Sequence, residues 1–553
     1  MTNMKTVVSL LINHFKEWGV THIFGIPGKP IVPILTEIED NGLEFIVTRH
    51  ENGAGFAASG YSLIKDTIGV AIGTSGPGGT NLLTSAGQAK AYHLPVLFIT
   101  GHPSIKNTGK ALGQDSSMFG TDLVKMFEPV TLFSARVERK EQFELYFKHA
   151  IEKACVGVKG PVHLSIPFEV LVEEITPFTF KLPREVPVVS TQLENVIHQL
   201  DEAENPILFL GKGVQISKAY EEVKWLAEKW GIPVITTPGG KGAFSTNHSL
   251  SLGAFGLGGT ERATKYLQSN IDLMIVIGSK LSDMSLAGFK ENYKPKKIIQ
   301  FDIDTTFSGK SISVPTLIIQ GDAKRNLEEL KKKVNGREST SLASINLLAQ
   351  EHGNEKNKIE ELSESSHYIS AASAIKELRR HLPDETILFG DDGSHTFFAI
   401  KHYDIYEPGT FFFDDVFGTM GHAIGYAIGA KIASPHKPIV CLTGDGCTLM
   451  HGTEIATAVN EGVAVIFVVF NNGGLDMVDK GMKQWLNRSV GAKYKEKTNI
   501  KKFAESLGAI AYRCRNKSEI EDAIRQTLEY KNIPSVIEVI VDPNEIPPIL
   551  NRI

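Results

Sequence analysis

Cysteine is scarce in this sequence: Cys155, Cys441, Cys447 and Cys514 are the 4 cysteines among 553 residues. Cys441 and Cys447 lie close together in the chain, the others are far apart, and no C-x-x-C spacing typical of zinc sites occurs. The sequence therefore predicts neither a disulfide framework nor a zinc centre.

A surplus of positive charge is also lacking. Lys and Arg number 58 against 63 Asp and Glu, which gives a net charge of −5. Such a chain has no basic field that attracts polyanions, so we expect no nucleic acid partner.

Long hydrophobic runs are missing as well. No apolar run approaches the roughly 20 residues that span a bilayer. The N-terminal stretch MTNMKTVVSLLINHFKEWGV has neither a signal-peptide core nor a small-residue cleavage site. We therefore expect a cytoplasmic protein without a membrane partner.

The composition is otherwise ordinary, with 42% hydrophobic and 22% charged residues, which excludes disordered and fibrous classes. Short apolar runs alternate with amphipathic stretches over the whole length, a pattern typical of βαβ units. The runs are FIVT, VAIGTSG, VLFITG, VHLSIP, ILFLGKG, VITTPGG, LMIVIGS, IIQFDID, TILFGDDG, IVCLTGDG, VIFVVFNNGG and VIEVIV. They predict an α/β fold of doubly wound parallel sheets, with ligands at the carboxyl ends of the strands.

Two polar segments, around 172–191 and 331–366, interrupt the alternation. We interpret both as interdomain connections, which divides the chain into three domains of about 1–172, 190–335 and 365–545. The Lys-rich run in the second segment favours a solvated linker helix over a phosphate-binding patch.

Two Gly-rich turns carry the first chemical signal. Asp445 lies in a Gly-Asp-Gly turn after one predicted strand, and Asn472 lies in an Asn-Asn-Gly-Gly turn after the next, 472 − 445 = 27 residues later. Carboxylate and amide oxygens are hard ligands suited to Mg²⁺. Each turn alone has an ordinary explanation, because Gly, Asp and Asn commonly reverse the chain.

Together, the two turns resemble the diphosphate-binding signature of thiamine-diphosphate enzymes. The segments FGIPGKPIVPIL, VTRHENGAGFAASGYS and IGTSGPGGTN resemble the pyrimidine-binding domain of acetolactate synthase, pyruvate oxidase and their relatives. The similarity covers nearly the whole chain. It implies a pyrimidine-binding, a central and a diphosphate-binding domain, with thiamine diphosphate and Mg²⁺ as cofactors.

The resemblance assigns Glu51 to the glutamate that protonates the aminopyrimidine of a cofactor held by the neighbouring subunit. It therefore implies a homodimer or homotetramer with active sites at the subunit interface. The chemistry requires a carboxylic acid in an apolar setting, which GAGFAA provides. The plain alternative is an acid at a helix N-terminus, where the helix dipole favours it.

Other cofactor residues follow by position. Ser75, Gly76, Pro77 and Gly78 match the pyrimidine-binding loop, although a simple βα turn would look the same. Met420 matches the apolar wedge that bends the cofactor, although a lone Met is more often a core residue. The remaining assignments are Gly393, Ser394 and His395 for the diphosphate, Gly444, Gly446 and Cys447 beside Asp445, the carbonyl of Gly474 as third magnesium ligand after Asp445 and Asn472, and Met477.

The middle domain resembles the domain that binds FAD in synthases and oxidases, or ADP in some relatives. Lys280 and Met284 stand where synthases have two arginines after the VIG strand. FAD, ADP and an empty site therefore all stay open.

The sequence departs from the synthases where the substrate approaches. Lys29 replaces the second glycine of a pair, and His102 replaces a glutamine. Gln114 is kept, but Gly113 and Gly481 stand where large aromatic residues are usual. These changes predict a larger and more polar substrate site, in which Gln114, Lys29 and His102 join Glu51 as catalytic candidates. A solvent-facing Lys29 and neutral drift form the alternative.

The resemblance implies decarboxylation of a small-molecule 2-oxo acid followed by carboligation to an acceptor, as in acetolactate synthase. A decarboxylase, or an oxidase if FAD is bound, is the alternative within enzymes. A catalytically silent cofactor-binding homologue is the alternative outside them, and retention of Glu51, Asp445 and Asn472 argues against it. No G-x-G-x-x-G motif with a following acid supports a nicotinamide dehydrogenase.

Overall fold

Three parallel β-sheets form the framework of the computed structural model, which describes residues 4–184, 188–334 and 367–548. Each sheet has six strands and is flanked by helices, which confirms the predicted α/β fold. We refer to the parts of the chain that carry these sheets as the first, middle and third domains. Most of the second predicted linker, residues 335–366, lies outside the described residues.

The first sheet has the strand order β3-β2-β4-β5-β7-β6, the middle sheet β11-β10-β9-β12-β13-β14 and the third sheet β16-β15-β17-β18-β20-β19. Strands β1 and β8 form a separate antiparallel pair. The strands are β1 Lys5–Thr6, β2 His22–Gly25, β3 Glu44–Val47, β4 Gly69–Gly73, β5 Val96–His102, β6 Ser134–Arg136, β7 Val162–Pro167, β8 Glu174–Ile175, β9 Pro206–Leu210, β10 Val234–Thr236, β11 Ser251–Ala254, β12 Leu273–Ile277, β13 Lys297–Asp302, β14 Thr316–Gln320, β15 Ile387–Gly390, β16 Phe411–Phe413, β17 Ile439–Gly444, β18 Ile466–Asn471, β19 Ile510–Cys514 and β20 Ser535–Ile540.

Helices cover both faces of the sheets. In the first domain they are Val7–Glu17, Val32–Asp40, Glu51–Lys65, Pro77–Thr80, Leu83–Ala91, Leu123–Phe127, Lys140–Cys155 and Phe168–Leu171. In the middle domain they are Leu193–Glu202, Gly213–Ile216, Tyr220–Trp230, Glu261–Leu267 and Ala323–Val334. In the third domain they are Ala371–His381, Ser394–His402, His422–Ala433, Asp445–His451, Ile455–Asn460, Asp476–Leu486, Ile500–Ser506 and Lys517–Thr527. Within the described residues, none of these helices is long and apolar enough to span a membrane.

The central strands are apolar on both faces because helices cover both sides of a parallel sheet. All five residues of β12, Leu-Met-Ile-Val-Ile, are buried, as are those of β9. This is why the strands are visible in the sequence as continuous hydrophobic runs rather than as alternating patterns.

The first and third sheets have the same topology. Numbered along each sheet's own strands, both follow the order 2-1-3-4-6-5, whereas the middle sheet follows 3-2-1-4-5-6. The outer domains are therefore alike and the middle domain differs from them.

The two outer domains meet through one close helix pair. Helix Glu51–Lys65 packs against helix His422–Ala433, and small residues line the contact. A Cβ atom on Gly429 would collide with the carbonyl oxygen of Ala57 and lie 2.9 Å from the amide nitrogen of Tyr61. The helix backbones can approach this closely only because Gly429 has no side chain.

We expect Gly429→Ala to lower the melting temperature, since overpacking a tight contact typically costs about 1 to 3 kcal/mol. Gly481→Ala is the matched control, because Gly481 is also helical and has open space where a Cβ would be added. The control should gain roughly 0.5 to 1 kcal/mol from helix propensity. Thermal unfolding followed by circular dichroism measures both, and a Tm rise in both variants would contradict the proposed contact.

Candidate active site

A pocket opens at the carboxyl edge of the third sheet, where ligands bind in open parallel sheets. The turns after β15, β17, β18 and β20 all contribute to it. Its lining residues are Ala371, Asp392, Gly393, Ser394, His395, Phe397, Phe398, Met420, Gly444, Asp445, Gly446, Cys447, Phe470, Asn472, Gly474, Leu475, Asp476, Met477, Val478, Lys480, Val541, Asp542 and Glu545. We call this the third-domain pocket.

Asp445, Asn472 and Gly474 meet in this pocket because β17 and β18 are neighbours in the sheet. The Asp445 carboxylate accepts hydrogen bonds from the amides of Gly473 at 2.8 Å and Gly474 at 3.1 Å. The two turns are thereby held against each other. Of the paired asparagines, Asn471 points away and donates to Glu538 at 2.7 Å, which leaves Asn472 on the pocket wall.

Burial rather than an ion pair determines the electrostatics of the Asp445 carboxylate in the described part of the chain. Burial raises the pKa of Asp445 to about 6, although the amides of Gly473, Gly446 and Gly474 act in the opposite direction. Among the described residues, no Lys, Arg or His forms an ion pair with it. A buried carboxylate beside an amide and a free carbonyl is a donor set that fits Mg²⁺.

His395 lies on the pocket wall and its Nε2 atom has no hydrogen-bond partner among the described residues. Burial lowers the pKa of His395 to about 4, so the imidazole is neutral at pH 7. The Cys447 thiol donates to the carbonyl oxygen of Asp392 at 3.2 Å, and burial keeps its pKa well above the ordinary value. A neutral imidazole with an unused nitrogen is suited to hydrogen-bond a phosphate oxygen.

Met420 projects over the pocket from a turn that is fixed by Asp391. The Asp391 carboxylate accepts hydrogen bonds from the Gly421 amide at 2.8 Å and the Thr443 hydroxyl at 2.7 Å. His422 lies 3.2 Å from the same carboxylate. Burial opposes ionisation of both groups, but their mutual attraction lowers the pKa of Asp391 and raises the pKa of His422. This pair anchors the turn that holds the methyl end of Met420 beside Gly446.

The first-domain candidates lie elsewhere, at the carboxyl edge of the first sheet. Glu51 begins its helix, is 7% exposed, and accepts a hydrogen bond from the Asn81 amide at 2.9 Å. The loop from Ser75 to Gly78 follows β4, and Gly76 donates to the Ser116 hydroxyl at 2.8 Å. Gln114 is exposed and packs beside Gly76. These residues form a second cluster, separate from the third-domain pocket.

Lys29 and His102 differ in exposure: Lys29 is exposed and His102 is buried. Lys29 is exposed, and no carboxylate of the described residues pairs with it. Its neighbour Pro30 packs on Gly101, which places Lys29 above the end of β5. His102 is buried, burial lowers its pKa, and its Nδ1 lies 2.6 Å from the Pro103 carbonyl oxygen.

Within one chain, all the third-domain candidates line the same pocket. The first-domain candidates do not line it: these are Glu51, Lys29, His102, Gln114 and the loop from Ser75 to Gly78. The sequence did not indicate that Lys480 and Glu545 line the third-domain pocket. Lys480 is buried and bonds to Asp476 at 2.9 Å and to the carbonyl oxygen of Glu545. The position of Glu545, soon after β20 at the same sheet edge, was the available signal.

Comparison with known proteins agrees with this geometry. The family model described as "Thiamine pyrophosphate enzyme, N-terminal TPP binding domain" matches residues 5–125, the central domain of the same family matches 193–330, and the C-terminal TPP binding domain matches 391–539. The chain belongs to the thiamine pyrophosphate enzymes.

Within that family the chain is acetolactate synthase-like. It is 31% identical to a probable acetolactate synthase large subunit of Methanococcus aeolicus, over 97% of this chain and 92% of the relative. It is also 31% identical to an acetolactate synthase of Mycobacterium bovis, over 97% and 88% of the two chains. The acetolactate synthase large subunit of Corynebacterium glutamicum is similar to the same degree, over 98% and 87%.

We expect Asp445→Ala to lose Mg²⁺ and with it most of the affinity for thiamine diphosphate, because one amide and one carbonyl are poor ligands for a divalent cation. The fold should persist, since removing a buried charge without a cationic partner does not leave another charge unpaired. Isothermal titration with thiamine diphosphate, with and without Mg²⁺, measures the effect. Unchanged Mg²⁺-dependent affinity would contradict the assignment.

Proposed function

We propose that this enzyme uses thiamine diphosphate and Mg²⁺ to decarboxylate a 2-oxo acid and to join the remaining fragment to an acceptor carbonyl. The observation that carries the proposal is the third-domain pocket, which is lined by the buried Asp445, Asn472 and His395. Among the described residues, Asp445 has no ion-pair partner and the Nε2 atom of His395 has no hydrogen-bond partner. The family relationship and the acetolactate synthases among the relatives support the reaction class.

Different residues of the chain would bind the metal ion and the diphosphate. Asp445, Asn472 and the carbonyl of Gly474 would hold Mg²⁺, and Gly393, Ser394 and His395 would bind the diphosphate oxygens. Met420, on the turn fixed by the Asp391–His422 pair, would provide an apolar contact for the cofactor. Once bound, thiamine diphosphate supplies an electron-accepting ring that makes loss of carbon dioxide from a 2-oxo acid feasible.

Glu51 would hold and move the proton at the aminopyrimidine nitrogen. Its carboxyl group is buried among small residues of its helix and is positioned by one hydrogen bond from Asn81. A carboxyl group positioned in this way can act as a general acid and base toward a ring nitrogen.

The complete site is proposed to form between two copies of the chain, in a homodimer or homotetramer. Large apolar side chains are exposed in both outer domains, an arrangement typical of surfaces that a partner covers. Next to Gln114 these are Met118 and Phe119, both 67% exposed. In the third domain they include Val416, Phe417, Leu449, Met450, Trp485 and Leu486.

Mixed dimers test this arrangement. Glu51→Gln and Asp445→Ala should each lose about 10² to 10⁴-fold in turnover as single variants. A dimer that carries one copy of each, isolated through two different affinity tags, has one doubly damaged site and one intact site. It should recover about half of the wild-type turnover under two-fold symmetry. Absence of recovery would mean that each site lies within one chain.

The reaction itself is tested with a panel of 2-oxo acids. The enzyme loaded with thiamine diphosphate and Mg²⁺ is incubated with each acid, and carbon dioxide and condensed products are measured. Carbon dioxide with a condensed product supports carboligation. Release of free aldehyde alone would instead identify a simple decarboxylase, and no turnover of any acid would reject the proposal.

Lys29 is proposed to select a substrate that carries a further anionic or strongly polar group. It is a cation above the end of β5, and Gly113 and Gly481 leave open space where side chains would stand. Lys29→Gly should raise KM for the preferred acid about tenfold, the size of one lost charge-assisted hydrogen bond, and leave KM for pyruvate nearly unchanged. Steady-state kinetics with both acids checks this, and an unchanged substrate ranking would make Lys29 a surface residue.

A further inference from the structure

The middle sheet has the strand order of dinucleotide-binding sheets, in which the ligand occupies the crevice where the order reverses. In this chain the reversal lies between β9 and β12. A phosphate bound there would need free backbone amides at the strand ends and space between the two turns.

The crevice between these turns is filled by the backbone itself. The Gly213 amide donates to the Gly278 carbonyl oxygen at 2.9 Å. A Cβ on Gly213 would lie 2.5 Å from the Cα of Gly278, and a Cβ on Gly278 would lie 2.6 Å from the Cα of Gly213. The glycines at these strand ends therefore allow the two turns to pack on each other, which leaves no gap for a pyrophosphate.

The glycine amides at the strand ends are also engaged. Gly211 donates to the Ile277 carbonyl oxygen at 2.9 Å, and Gly278 donates to that of Phe301 at 2.9 Å. In the turn after β10, Gly239 donates to the Asp415 carboxylate at 3.3 Å. These donors are not available to a phosphate.

Lys212, the cation of the turn after β9, is turned away from the crevice. It is 9% exposed, and its Nζ donates to Asp414 at 3.1 Å and to the Ala91 carbonyl oxygen at 3.0 Å. Asp414 in turn accepts a hydrogen bond from Gln88 of the first domain. One buried ion pair thus joins the middle domain to both outer domains.

Lys280, a second cation at this sheet edge, is engaged inside the middle domain. Its Nζ lies 3.8 Å from Asp304 and 5.5 Å from the centre of the Phe307 ring. Neither lysine is therefore directed at a bound phosphate.

We infer that the middle domain binds neither FAD nor ADP, and that Lys212 serves instead to lock the three domains together through Asp414. The residues present do not fit a dinucleotide. Given the proposed function, the chain then has no flavin to take up electrons, so an acceptor carbonyl rather than an oxidant receives the fragment.

Flavin binding is measured on the full-length enzyme. Protein purified in the presence of excess FAD and then dialysed should show no flavin absorbance, and titration with FAD or ADP should give no heat of binding. Flavin in a fixed ratio to the chain, or any saturable heat, would overturn the inference. Thiamine diphosphate with Mg²⁺ is titrated in the same samples, and its failure to bind would reject the proposed function without affecting this inference.

Thermal unfolding tests whether the Lys212–Asp414 ion pair holds the three domains together. Lys212→Met leaves a buried carboxylate unpaired and should lower Tm by about 5 °C or more, while Lys212→Arg should retain most of the stability. Lys224→Met, at an exposed lysine of the same domain, is the control. The double variant Lys212→Met/Asp414→Asn should lose less than the sum of the single losses. A wild-type Tm for Lys212→Met, or flavin binding by that variant, would overturn the inference.

Discussion

Parallel strand direction is the constraint on which this structure depends. In a parallel sheet, every turn that follows a strand lies at the same edge, so residues far apart in the chain meet there without any further device. The third sheet uses this edge for a polar pocket, and the first sheet uses it for Glu51 and its neighbours. The middle sheet closes the same edge with its own backbone. The three sheets therefore share one architecture. The turns at the carboxyl edge determine whether that edge forms a pocket, holds Glu51 and its neighbours, or is closed by the backbone.

The central strands were predictable because both of their faces are buried, which makes them continuous apolar runs. All twelve runs singled out in the sequence overlap a strand of the structure. The strands missed, such as β2 with its sequence His-Ile-Phe-Gly and the three-residue β6, are short or carry polar residues. Their position is fixed by hydrogen bonds to a longer neighbour rather than by their own pattern.

The pocket residues were predictable where two turns carry a specific pair of polar side chains, as with Asp445 and Asn472. The Lys480 contact with Glu545 was not, because it joins elements 65 residues apart and neither residue belongs to a recognisable motif. The contact between Asp391 and His422 was not predictable either, because these residues are also far apart in the chain. A buried ion pair is set by the path of the backbone around it, and sequence spacing does not report that path.

Buried charge distinguishes the binding site from the supporting structure. Asp414 is balanced by Lys212, and Asp391 by His422, so each costly burial of a carboxylate is offset within the chain. Asp445 is buried among backbone amides and near the Asp476 carboxylate, and no cation among the described residues forms an ion pair with it. A bound cation next to such a carboxylate would stabilise the folded chain, which links cofactor loading to the stability of the third domain.

The shared 2-1-3-4-6-5 order of the outer sheets has a consequence for how such a chain arose. The helices that pack together, Glu51–Lys65 and His422–Ala433, each follow the second strand of their sheet, so they occupy equivalent places in two like units. Duplication of one ancestral domain would produce this correspondence. In such a pair of units, one can hold an anionic group, as proposed for the third domain, and the other can handle a proton, as proposed for the first. Neither unit then needs to carry both kinds of chemistry.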